Sequence, residues 1–223
     1  AHWETDVPML TGAEQPETIH DFYGFPEALY RLRYPAPGDP ELARQVREQL
    51  RTGGTCSGID GTHGLDHGSW TPLLHLYPEA DIPVVQLSVQ PAMGAGPHLA
   101  LGRLLEPLRD QGVLVIGSGH MTHNLREAFA VMRTGRNDAP PLPYVAEFTD
   151  WVSARIEAHD TEQLADYRRL APHAARAHPS EEHFLPLFTA LGAAGDGYRA
   201  ERIHHDTELQ SLAMDCLLYT SPS

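Results

Sequence analysis

The strongest constraint on the fold is a run of four apolar, mostly β-branched residues, Val113-Leu114-Val115-Ile116, which empties into Gly117-Ser118-Gly119-His120-Met121-Thr122-His123-Asn124. A short apolar run with a glycine-rich loop and a helix behind it reads as strand, functional loop and helix. Pro83 to Val89 is a second run of this kind and predicts another buried strand. Helical spacing follows at Leu99–Asp110, ending at Gly112, from Asn124 to about Met132, and at Val145–Ala158. Asp39-Pro40-Glu41 starts a helix that stops at Gly53-Gly54, Asp160 caps one over 161–170, and Ser180 caps one over 181–191. Gly58 to Trp70 and the aromatic-rich stretch 11–38 read as loops, and 135–143 as a polar, Pro-rich connection. Strands alternating with helices predict an α/β fold: a layered single domain with a central mixed sheet flanked by helices.

Composition excludes several chemistries. The chain has 223 residues and a formal net charge of −14, and all 16 of its basic residues are arginines. Such an acidic chain has no electrostatic reason to seek nucleic acid or an anionic membrane. A P-loop lysine, a Schiff-base lysine and a Ser–Lys dyad are ruled out. No apolar run reaches the roughly 20 residues needed to span a bilayer. Two cysteines, Cys56 and Cys216, are too few for a disulfide framework and imply a reducing, cytoplasmic setting.

Histidine is over-represented, at 14 residues. His120 and His123 follow the expected strand, His63 and His67 sit among glycines, His2 opens the chain, and His183 is expected in the first turn of a helix. Imidazoles from four segments therefore point to a metal or acid–base site. The bland readings stand beside this one. His173, His178, His204 and His205 lie in polar surroundings that suit solvated or structural roles. Gly64 argues against a helical pair at His63 and His67. There is no HExxH, and no GxSxG elbow turns Ser118 into a hydrolase nucleophile. Gly117-Ser118-Gly119 is a weak phosphate-loop signal without lysine.

Four ordered blocks carry a more specific signal: Ala1-His2-Trp3-Glu4, Gly61-Thr62-His63-Gly64-Leu65-Asp66-His67-Gly68, Gly117 to Leu125, and Glu181-Glu182-His183-Phe184-Leu185-Pro186-Leu187. In these blocks the chain resembles the class III extradiol ring-cleavage dioxygenases, in particular the DOPA 4,5-dioxygenase branch. The resemblance implies a non-haem metal, Fe(II) for turnover with Zn(II) able to take the same site. It implies that O₂ is inserted into a catecholic substrate beside its two hydroxyls, giving a muconic semialdehyde. Carried over by position, His2 and His183 are the metal ligands, with Glu182 a reserve carboxylate ligand. His123 is the acid–base histidine, expected to titrate near neutrality, and His67 a second catalytic residue. His63 and Asp66 line the substrate pocket, and Trp70 and Tyr23 are candidates for stacking on the ring. The family pattern opens with a strand and a Ser-His-Gly ligand motif. The resemblance therefore implies that residues 1–216 form one catalytic domain lacking that block, and that 217–223 are a non-native or disordered tail. The implied partners are the catechol and O₂, with a homo-oligomer left open. A zinc-dependent hydrolase on the same histidines and a non-catalytic binding module of this fold are the competing readings.

Overall fold

The computed structural model describes residues 1–135 and 139–221. Part of the connection expected at 135–143, and the last two residues of the expected tail, lie outside the described residues. The chain is α/β and forms two compact units, residues 1–92 and 93–223. Among the described residues, no helix is long and apolar enough to cross a membrane.

In the first unit, β1 (Met9–Thr11), α1 (Glu27–Tyr30), α2 (Pro40–Thr52), β2 (Gly58–Asp60) and α3 (His67–Leu76) follow in order. β1 and β2 pair in parallel, with Leu10 opposite Ile59. The chain from Val84 to Val89 runs extended, bridging antiparallel at Leu10 and in parallel at Glu4 and Gly38. This mixed pairing anchors the start of the chain: Val89 N–H donates to the Trp3 carbonyl at 2.9 Å, and Thr5 N–H to the Val89 carbonyl at 3.1 Å. α2 behaves as its sequence predicts. Asp39 accepts from Leu42 N–H at 2.9 Å, Pro40 takes the first turn, and Ala43, Val46 and Leu50 are buried. The expected loop at 58–70 instead contains β2 and the start of α3. Asp66 caps α3 by accepting from Ser69 N–H at 3.1 Å. Gly68 and Pro72 mask this helix in the sequence; Pro72, beyond the first turn, removes one ladder bond and the helix continues past it. Tyr34, Ala36, Leu65, Trp70 and Ala80 form the small core.

The second unit contains α4 (Ala95–Leu105), α5 (Leu125–Thr134), α6 (Pro143–Glu157), α7 (Thr161–Ala165), α8 (Tyr167–Leu170), α9 (Ala174–Ala177) and α10 (Leu185–Ala193), then β3 (Arg199–His204), β4 (Thr207–Glu208), β5 (Leu212–Ala213) and β6 (Cys216–Thr220). Phe148, Val152 and Ile156 of α6 pack with Tyr167, Phe184, Phe188 and Leu191 in its core. α4 and α10 meet at Gly102 and Gly192, where a Cβ on either would press into the backbone of the other helix.

Three expectations are corrected here. Val113–Ile116 lies in no helix, strand or bridge among the described residues. Leu114 and Ile116 are 62% and 43% exposed, so alternate side chains face outward and the run does not become a buried strand. The helix expected from Glu181 starts at Leu185, because Pro186 has no N–H to give the Glu182 carbonyl and the ladder cannot extend further back. Residues 217–220 are ordered: β6 pairs antiparallel with β3, with Leu218 opposite Glu201.

Candidate functional site

In the second unit, the loop Gly117–Asn124 is held by backbone and side-chain hydrogen bonds together. His120 N–H donates to the His183 carbonyl and His123 N–H to the Ala177 carbonyl, both at 2.8 Å. A Cβ on Gly119 would collide with that His183 carbonyl, and one on Gly117 with the carbonyl of Pro186. These glycines therefore serve close chain-to-chain approach rather than a phosphate cradle. Thr122 is fully buried; its hydroxyl donates to the Ser211 carbonyl at 2.9 Å and accepts from Ala213 N–H at 2.8 Å. Asn124 caps α5 through Glu127 N–H and donates its amide to the Arg176 carbonyl at 2.8 Å.

This scaffold brings His120, His123 and His183 together. One ligand atom from each lies within 4.8 Å of the other two. The His123 and His183 rings stack at 3.5 Å between centroids, and His120 lies 5.1 Å from His123. His183 is buried, and its Nδ1 is 3.0 Å from Glu182 Oε1, which also accepts from the Ser180 hydroxyl at 2.9 Å. A carboxylate on Nδ1 fixes the tautomer that leaves Nε2 as the lone-pair nitrogen, the usual outer partner of a metal-binding histidine. The hydrogen bond from His183 overcomes burial and holds the Glu182 carboxyl down at about 2. Glu182 therefore serves here as the partner of His183. The expectation of a near-neutral His123 is corrected: burial first, then the neighbouring imidazoles of His183, His120 and His178, push it down to about 3. Imidazoles in a close set are donors that a divalent late transition metal takes, and a set of so few leaves coordination positions for substrate. The residues present fit such an ion.

In the first unit, His2, Asp21 and His67 form a second close set, again with one ligand atom each within 4.8 Å. The His2 and His67 rings are 3.9 Å apart, and a Cβ on Gly68 would press on the His2 ring. Asp21 Oδ1 accepts from His67 N–H at 2.9 Å and lies 2.9 Å from His67 Nδ1, while Oδ2 is 3.9 Å from His2 Nδ1. Burial works against the Asp21 carboxylate, but the His67 contacts outweigh it and lower its pKa. Phe22 meets the His67 ring edge-on at 5.5 Å. His63 stacks on Trp3 at 4.0 Å, its turn tied by Asp60, which accepts from the N–H groups of Thr62 and His63. Asp66 is buried, its carboxylate occupied by Ser69 N–H and the Gln86 amide. Trp70 is a core residue whose indole N–H donates to the Ile19 carbonyl at 2.8 Å, and Tyr23 is 90% exposed.

Sequence reading missed Asp21. The one local signal was a lone carboxylate in the aromatic Asp21-Phe22-Tyr23-Gly24-Phe25 stretch, and its partner is 46 residues away. His178 is structural, as expected, but fully buried rather than solvated; its Nε2–H donates to the Met121 carbonyl at 2.9 Å. His173 pairs with Glu147 and His205 with Asp215, each at 2.9 Å.

Comparison with known proteins agrees with this chemistry. Residues 1–213 match the family described as the catalytic LigB subunit of aromatic ring-opening dioxygenase. A 4,5-DOPA dioxygenase extradiol from Beta vulgaris is 42% identical over 227 residues, covering 99% of this chain and 81% of the relative. The protein of the same name from Escherichia coli K12 is 39% identical, covering 86% of this chain and 70% of that one. A crystal structure of an uncharacterised protein from Escherichia coli K12 superposes with a TM-score of 0.80 at 32% identity, covering 97% of this chain and 82% of that chain. A match over nearly the whole chain, together with imidazole sets suited to a non-haem metal, makes this chain a member of the LigB family of aromatic ring-opening dioxygenases and an extradiol enzyme.

Proposed function

We propose that the chain cleaves a DOPA-like catechol with O₂ at a non-haem Fe(II), giving a muconic semialdehyde, and that Zn(II) takes the same site without turnover. The observation that carries this reading is the close set of His120, His123 and His183, with His183 oriented by Glu182. The relatives named above supply the substrate class. In that histidine set His183 is the proposed metal ligand; His2, which lies in the first unit beside Asp21 and His67, is proposed as a ligand on the family resemblance alone. The metal, when bound, acidifies the catechol hydroxyls and supplies the electron that activates O₂. His123 is the proposed acid–base residue: it rests neutral, the form that accepts a proton, and the negative charge of an ionising catechol beside it would raise its basicity for taking that proton and returning it to the departing oxygen. His67 is the second proposed catalytic histidine. Asp21 Oδ1 lies 2.9 Å from its Nδ1 and accepts from its backbone N–H. His63 and Asp66 are the proposed substrate-pocket residues; His63 stacks on Trp3 and Asp66 caps α3. Free thiols at Cys56 and Cys216 suit a reducing, cytoplasmic setting. The hydrolase and binding-module readings lose their support with the family match.

Oxygen uptake by the Fe(II)-loaded protein with a panel of catechols tests the proposal. One O₂ should disappear per catechol, and no product should form anaerobically; turnover without O₂ rejects it. His183→Ala should lose the metal. His123→Ala should retain it while turnover falls roughly 10²-fold or more. Metal content by elemental analysis separates the two.

A further inference from the structure

His183 does not sit on a helix; it lies in the turn ahead of α10, where Pro186 denies the backbone a ladder further upstream. Side chains from α8 hold the chain just ahead of this turn at two points. Arg168 Nη1 donates to the His178 carbonyl at 2.6 Å and, at 3.3 Å, to that of Ala174. Its Nε donates to Glu181 Oε1 at 3.0 Å, and the Tyr167 hydroxyl donates to Glu181 Oε2 at 2.9 Å. The Glu181 carbonyl then receives Phe184 N–H at 2.8 Å and Leu185 N–H at 3.1 Å, which starts the turn into α10. One guanidinium thus fixes the chain at residue 178 and, through Glu181, at 181. Glu182 and His183 follow directly after the second anchor. Tyr167 is fully buried, so its hydroxyl is held in place by packing as well as by the carboxylate.

We propose that Arg168 and Glu181 are positioning residues for His183. They set the aim of its imidazole toward a metal without touching metal or substrate. This rests on reading His183 as a ligand. The planar fork of Arg168 suits a task that a point charge cannot perform, because it reaches a carboxylate and a carbonyl at once. Groups that orient a metal-binding histidine are worth about 10–100-fold in metal affinity.

The test is titration of the full chain with Co(II) alone, followed by its visible ligand-field bands, for wild type, Arg168→Gln, Arg168→Lys, Tyr167→Phe and His183→Ala. Circular dichroism and Tm confirm folding. Arg168→Gln should bind Co(II) about 10–100-fold more weakly, with shifted bands. Arg168→Lys should recover only part of the affinity, and Tyr167→Phe, which removes a single bond to Glu181, should lie between wild type and Arg168→Gln. A role confined to stability would lower Tm and leave affinity and bands unchanged. A folded Arg168→Gln with wild-type affinity and spectrum overturns the inference. Should Arg168→Gln fail to fold, Tyr167→Phe decides by the same comparison. If wild type and His183→Ala bind Co(II) alike, the ligand reading falls and the inference with it. If His183→Ala alone loses binding, only the inference falls.

Discussion

His178 has a buried imidazole stacked on Phe184 at 4.7 Å between centroids, with Nε2–H on the Met121 carbonyl. Burial pushes its pKa down to about 3. In the unfolded chain the same group titrates near 6.5. As pH falls below about 6.5, the unfolded state takes up a proton that the folded state refuses. The stabilisation present above that pH is therefore lost on acidification, with a slope of up to about 1.4 kcal/mol per pH unit from this group. Urea unfolding at pH 7.5, 6 and 5 should show the decline, and His178→Phe should make it shallower by the His178 share, leaving that of the similarly depressed His123, whatever the change does to absolute stability. At this scale the sequence is most readable where function is local. His120, His123 and His183 stand in short blocks with their own neighbours, whereas the partners of Asp21 and Arg168 are set by the fold. The pKa of His123 could not be read in advance either, because it depends on how deeply the ring is buried and on imidazoles from other segments.

Helix α2 and the starts of α5 and α7 follow from their caps: Asp39, Asn124 and Asp160 each accept from an N–H three residues on. Those signals lie within one turn of chain, so they survive folding. Val113–Ile116 fails as a buried strand because its β-branched composition reports a fit to a pleated surface, not the presence of a neighbour to pair with. The close approach of α4 to α10 was equally hidden, since a mid-helix glycine reads as weakness until the opposing backbone is seen. Gly102→Ala would drive a methyl into the Thr189 carbonyl and Gly192 Cα. The expected cost is about 1–3 kcal/mol, seen as a fall of several degrees in Tm, while far-UV circular dichroism at 20 °C stays unchanged. A helix pair that merely tolerated glycine would gain stability from the better helix former instead.

Taken over the whole chain, the α/β class and the ring-opening chemistry are readable from the order of elements and from four blocks of residues. The division into two compact units is not, because strand and helix patterns alternate without a break in composition near residue 92. A second property belongs only to the finished molecule. Thr122 exchanges hydrogen bonds with Ser211 and Ala213, and Met121 N–H donates to the Ala213 carbonyl at 3.2 Å, so the histidine loop is clasped by residues about 90 positions downstream. A protease nick after Glu208 should therefore lower oxygen uptake severalfold even though every histidine discussed above remains on the larger fragment. Adding back a synthetic peptide of the lost residues should restore part of it. The ring-opening chemistry would then depend on a stretch of chain that reaches no reactant, and a library screen scoring only pocket-lining positions would overlook it.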